Sequence, residues 1–291
     1  MFVVKNDAKT FLAYAAVCFF WGSTFLGIKV GLAYWPPLLM AGIRFILASL
    51  ILFPIISSRK IEFSISLIDF KTIILGGVFM LSFSNGLLCI SEKFTSSSLA
   101  AVMIALVPIY TAGMEAYQNR QINYTLTNIF GMIMSVLGVL VLTWSDMSLN
   151  MNGLFLLVIS GLCWSVGALK TKTVSERINP LLITMIQMFA GGILLIMMSS
   201  ITEEWLNIPI NISSVTPILY LSLFGSVIAF SCYNYVLKHW TAVATSTYTY
   251  INPIVAIILG NAFLNERITI NTIIGVTIIL FGTRLVRIKS I

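Results

Sequence analysis

Charge is what this chain has least of. Lys, Arg, Asp and Glu make up 9% of its 291 residues, where a soluble domain carries about 25%. Histidine occurs once, as His239, and no His/Glu or His/Cys spacing suited to a metal is present. The four cysteines, Cys18, Cys89, Cys163 and Cys232, stand inside apolar runs without any Cys-x-x-Cys pair. That argues against a disulfide framework and reads as small apolar side chains in helix contacts. A Gly-x-x-x-x-Gly-Lys-[Ser/Thr] phosphate loop is missing, which argues against an ATP-driven pump. So is a Gly-x-Ser-x-Gly elbow, and with it any sign of an intramembrane hydrolase. No cofactor is expected. The formal net charge is +7, but the basic residues are spread singly between apolar runs, so nucleic acid is not an expected partner.

What is there is apolar sequence, 58% of the chain, in runs of roughly 20 residues, the length at which a helix crosses a ~30 Å hydrocarbon layer. Ten such runs can be drawn, at 11–31, 36–57, 71–91, 96–118, 125–145, 152–172, 178–199, 215–237, 242–264 and 271–287. They are too long for strands and lack period-2 alternation. The expected fold is an all-α membrane protein of ten transmembrane helices, with the lipid bilayer as its surroundings. Lys5 and Lys9 ahead of the first run resemble the start of a signal peptide. That run has a counterpart in the second half, so it reads as a retained first helix.

The counterpart exists because the outline of the chain occurs twice. Trp21 and Trp164 are 143 positions apart, as are Pro37 and Pro180, while Pro108 and Pro253, like Lys93 and Lys238, are 145 apart. Two halves follow, 1–145 and 146–291, with five helices each. An odd number forces the second copy to insert upside down, giving the inverted repeats of secondary transporters, which enclose a site near the membrane midplane. With both termini in the cytoplasm, 13 of the 17 Lys and Arg lie inside, three at the outer face (Lys29, Lys93, Arg267) and Arg44 within a helix. This bias sets the orientation. Glu92, Asp146, Glu203, Glu204 and Glu266 then lie outside.

Arg44 is the most informative residue. It stands about eight residues into the second helix, roughly 12 Å below its outer end. A charge there costs about 2.5–3.5 kcal/mol and should face the bundle or a wet cavity. It either meets an anionic group on a substrate or bonds permanently to backbone carbonyls; its repeat equivalent, Gln187, is polar but neutral. Glu115 lies some eleven residues deeper, roughly 16 Å of rise, too far for an ion pair with Arg44. It either carries a coupling proton or is wetted at the cytoplasmic rim. Pro108 and Pro253 each break a helix near its middle. Around them Tyr248, Tyr250 and Asn252, with Ser82 and Asn85 of the third helix, offer hydrogen bonds either to a ligand or between helices. Trp21 and Trp164 sit mid-helix, outside the interfacial belts, and either line a cavity or pack between the halves. Lys29 is expected to snorkel from its helix end, and His239 to be solvated in a loop.

At these positions the sequence resembles the EamA-type transporters of the drug/metabolite transporter superfamily. The matching residues are Trp21-Gly22-Ser23, Arg44-Phe45 with Ala48, Pro108 and Pro253, and the acidic turn Asn265-Glu266-Arg267-Ile268-Thr269. Where the family often repeats that turn after the fourth helix, this chain has Asn119-Arg120-Gln121. The resemblance implies a carrier of the bacterial inner membrane, usually an exporter of amino acids or related metabolites driven by an ion gradient. The expected substrate path is lined by Trp21, Ser23, Arg44, Asn85, Trp164, Gln187, Tyr248 and Asn252, with Glu115 as the coupling candidate. A passive channel or facilitator, and a scaffold or lipid-handling membrane protein, are the other readings. Either a monomer or a homodimer is compatible with the sequence.

Overall fold

Inside a bilayer a backbone has no water to bond with, so an apolar run must satisfy its amides within itself, as a helix. The computed structural model of the chain describes residues 8–118, 125–144, 150–203, 205 and 208–285, and among these the regular structure is entirely helical. Eight helices are long and apolar enough to cross a membrane: α1 (Ala8–Gly31), α2 (Pro37–Ser58), α3 (Leu67–Ser91), α4 (Ser97–Gln118), α6 (Met151–Ser175), α7 (Pro180–Thr202), α8 (Ile212–His239) and α9 (Ala242–Leu264). Two further apolar helices, α5 (Leu126–Trp144) and α10 (Ile270–Leu285), occupy the positions of the remaining expected crossings. This is a multi-pass, all-helical membrane protein.

Local chemistry sets the helix starts. Asn179 caps α7, accepting from the Leu181 amide at 3.0 Å, and Pro180 takes the first helical position, where its missing N–H costs nothing. Ser96 caps α4 through the Leu99 amide (3.1 Å), and Thr241 caps α9 through Ala244 (3.1 Å). The midway breaks expected near Pro108 and Pro253 are present. In α4 the helix is interrupted at Ala105-Leu106 and resumes at Val107, with Pro108 second in the new segment. In α9 a short 3-10 stretch, Thr247–Tyr250, precedes the restart at Asn252, where Pro253 is again second. In both cases the break falls just ahead of the proline, which then fits a helix's first turn.

A second paired feature has no sequence marker. Val78–Asn85 in α3 and Leu221–Ile228 in α8 are both π-helical, eight residues each and 143 positions apart. Such widened turns concentrate where a helix must re-aim side chains at a site.

Packing between the first five and the last five helices pairs elements in a matched way. α2 lies along α7 and α5 along α10; α1 packs on α8 and α9, while α6 packs on α3 and α4; α4 also meets α9. Glycines permit the closest approaches. A Cβ on Gly77 of α3 would stand 2.7 Å from Cα of Gln187, and one on Gly42 of α2 3.1 Å from the Gly192 carbonyl.

Candidate functional site

At the centre of this packing is a cavity of about 60 Å³, walled by α1, α2, α3, α4, α6, α8 and α9. It has room for a few water molecules. One side is aromatic. Trp21 and Trp164 meet edge to face, and Trp21 also packs on Tyr248 (4.8 Å between centroids) and Tyr233 (5.1 Å). Phe230 closes the cluster against both indoles. Trp21 Nε1 donates to the carbonyl of Gly225 at 2.8 Å, inside the π-helical stretch of α8. The buried Nε1 of Trp164 has no acceptor in hydrogen-bonding geometry.

The opposite side is polar. Arg44, 4% exposed, donates from Nη2 to Asn85 Oδ1 at 2.6 Å, and its guanidinium lies over the Phe45 ring, 4.5 Å from the centroid. Its Nε is buried without a partner. The widened turn of α3 carries Leu81, Ser84 and Asn85 to the wall together. Ser84 is tied to α6 by the Ser160 hydroxyl, which donates to its carbonyl at 2.8 Å. On the α9 side, Asn252 lines the cavity and can donate from its amide nitrogen to the carbonyls of Cys18 (3.1 Å) and Tyr248 (3.2 Å).

Of the eight residues expected on the path, Trp21, Arg44, Asn85, Trp164, Tyr248 and Asn252 come together on this wall. Ser23 and Gln187 do not. The Ser23 hydroxyl bonds the Phe20 carbonyl (2.7 Å) and the Tyr220 hydroxyl (2.5 Å). Gln187, fully buried, donates to Thr171 Oγ1 at 2.7 Å and accepts from Asn234 Nδ2 at 3.2 Å, so its amide ties α7 to α6 and α8. Ser82 likewise bonds the Gly191 carbonyl (3.1 Å) between helices. Glu115 is half-buried towards the end of α4 and forms no part of the wall.

Sequence reasoning missed two carboxylates that cap helix starts. Glu203, just after α7, accepts from the amides of Leu38 (2.9 Å) and Leu39 (3.0 Å) in the first turn of α2. Glu266 accepts from the Ser97 amide (2.9 Å), the Ser98 amide (3.2 Å) and both serine hydroxyls at the start of α4. Each carboxylate satisfies unpaired N–H groups at the positive end of a helix dipole from the other five-helix set. Asn265, in the left-handed conformation at φ 54°, turns the chain so that Glu266 reaches α4. Lys29 does not snorkel: its ammonium donates to the carbonyls of Glu92 (2.5 Å) and Thr95 (2.7 Å). Glu92 is fully buried, with no partner for either carboxylate oxygen. His239, expected in a loop, ends α8 with its ring edge-on to Tyr235, 4.6 Å between centroids.

The sequence profile of the EamA-like transporter family matches this chain twice, over residues 8–144 and again over 151–288. The chain belongs to the EamA-like transporter family. Among its relatives in that likeness is the uncharacterized inner membrane transporter YedA of Escherichia coli (strain K12), 29% identical over 283 residues, covering 95% of this chain and 90% of that one. An uncharacterized transporter of Archaeoglobus fulgidus is 26% identical over 279 residues, covering 96% and 98%. The uncharacterized transporter YoaV of Bacillus subtilis (strain 168) is 25% identical over 279 residues, covering 94% and 95%. A solved crystal structure superposes on this EamA family member with a TM-score of 0.73 over 96% of both chains at 14% identity, a likeness of fold alone. Family membership and the relatives together support a transporter role.

Proposed function

We propose that this EamA family member is a secondary transporter of a small metabolite, in which two inverted five-helix copies, 1–145 and 146–291, rock about the central cavity. One observation carries the reading: indoles from corresponding positions of the two copies and a buried arginine line the same cavity. An aromatic wall opposite a cationic one suits a substrate with an apolar body and a carboxylate, such as an amino acid. Its carboxylate would accept from Arg44, whose Nε has no other partner. Helix starts held by Glu203 and Glu266, around a cavity with room for only a few waters, suit a state between inward- and outward-open. Glu115 is the proposed group for a coupling proton. Export is carried over from the family resemblance, and the 13-to-3 distribution of Lys and Arg supports both termini in the cytoplasm of a bacterial cell.

The test is uptake of a radiolabelled amino-acid panel by purified protein in liposomes, with and without a pH gradient. Saturable flux that Arg44→Ala removes, in protein that still inserts and folds, supports the reading. Flux that neither saturates nor depends on Arg44 sinks it and favours a passive facilitator.

A further inference from the structure

A second opening lies away from the central cavity, at the end of the bundle where α1 begins and α2 and α8 end. It is a groove of about 790 Å³, lined by α1, α2, α7 and α8. Helical periodicity places it on the outside of the bundle. Lys9, Leu12, Ala13 and Ala16 share one face of α1, while Tyr14, Cys18, Trp21 and Phe25, which face the core, share the opposite one. In α8, Ser231, Cys232, Tyr235, Lys238 and His239 stand opposite Phe230, Tyr233 and Leu237 in the same way.

The charge of the groove is of one sign. Lys9, Arg59, Lys238 and His239 line it, and among the described residues no carboxylate does. Among the described ion pairs none involves Lys9, Arg59 or Lys238. Lys9 is held over the Tyr235 ring, 5.2 Å from its centroid, which keeps that ammonium at the rim. Between the cations the surface is apolar, through Leu12, Ala13, Ala16, Ile61, Pro180 and Leu181. Cations beside an apolar trough, on the outside of the bundle at a helix-end level, match a phosphate headgroup with its acyl chains below it.

We infer that this groove binds one anionic phospholipid, its phosphate held by Lys9, Arg59 and Lys238 and its chains lying along α1 and α8. The lipid braces α1 against α8, one helix from each five-helix set. The inference stands whether or not the central cavity carries an amino acid.

The experiment uses the full chain, partly delipidated in mild detergent, and counts retained lipid by native mass spectrometry after adding phosphatidylglycerol, phosphatidylcholine or inorganic phosphate. Phosphatidylglycerol should be retained over phosphatidylcholine by about tenfold to a hundredfold, the range expected for two or three basic side chains near a lipid phosphate. The variant Lys9→Gln/Arg59→Gln/Lys238→Gln should lose that retention. The control Lys71→Gln/Lys93→Gln/Lys170→Gln, which removes as much charge from exposed positions outside the groove, should keep it. Were the groove variant not to insert, Arg59→Gln alone is read the same way, by partial loss. Equal retention of phosphatidylcholine, equal loss in the control, or displacement of the lipid by inorganic phosphate would each overturn the inference.

Discussion

The indole rings of Trp21 and Trp164 cross at 87° with 5.2 Å between their centroids. They stand 143 positions apart in the chain, at the same point of its two copies, and they touch. Their bonding is unequal: Trp21 donates to the Gly225 carbonyl at 2.8 Å, whereas Trp164 Nε1 has no well-aligned acceptor, although it lies near the Tyr233 hydroxyl.

That inequality predicts different costs for the same substitution. Trp21→Phe removes a buried hydrogen bond to a helical carbonyl and should destabilise the protein by about 0.5–1.5 kcal/mol beyond the lost ring area. Trp164→Phe gives up no well-aligned hydrogen bond and should cost little beyond the lost area. Thermal unfolding of both variants in the same detergent checks the order; equal losses would show that the Gly225 bond contributes nothing.

Glu266 and Glu203 fasten the starts of α4 and α2 to the opposite five-helix set. Glu266→Gln should weaken that contact by about 1 kcal/mol and raise the population opened beside it. Cys89, fully buried with its thiol directed at Asn85 Oδ1, reports the opening. In a background with Cys18, Cys163 and Cys232 changed to Ser, its reaction with a membrane-impermeant maleimide should speed up several-fold in Glu266→Gln and further with Glu203→Gln. Unchanged labelling would mean that the two carboxylates brace the fold without gating it.

Glu92, in the turn after α3, has a carboxyl held by burial well above the usual carboxylate range, against the opposing pull of Lys29. The folded chain therefore binds this proton more tightly than the unfolded one, whose value is about 4.3. Stability is greatest below that value and falls as the pH climbs toward the folded-state one. Glu92→Gln should flatten that fall and leave the protein more stable at neutral pH. Melting temperatures of both proteins from pH 5 to 8 test this, and parallel curves would rule Glu92 out as the titrating group.

Gly77 marks a close approach of α3 to α7. A Cβ there meets the Gln187 backbone, 2.7 Å from Cα and 2.9 Å from O, which cannot step aside, so Gly77→Ala should cost about 1–3 kcal/mol. Gly86→Ala offers the contrast, since its nearest neighbours are the methyl ends of Leu195 and Leu38 at 3.0 and 3.1 Å. Comparable losses in the two variants would refute backbone contact as the cause.

Much of this was legible in the sequence because it depends on spacing. Apolar run lengths gave the eight long crossing helices, and the 143-residue recurrence of Trp picked out two residues of the central wall. Arg44 stood out because an unpaired charge in an apolar run needs a destination. Gln187 shows where spacing stops being informative. It occupies Arg44's repeat position, but the Gly76-Gly77 pair of α3 lets α7 settle so close that the amide is spent between helices. The capping carboxylates escaped notice for a related reason: Glu203 lies 165 residues from Leu38, and Glu266 169 from Ser97. A sequence shows such charges as polar ends of helices and gives no hint of which distant helix they face. The paired π-helical turns had no compositional signature either, since both are ordinary apolar stretches with serine.

Counterflow in liposomes tests the central claim most directly. Protein preloaded with an unlabelled amino acid from the panel should accumulate its labelled form transiently from outside, faster than empty vesicles do, and Arg44→Ala should abolish the effect. Label that equilibrates at one rate whatever is inside, or a counterflow untouched by the loss of Arg44, would contradict a cavity that opens to one side at a time around that arginine.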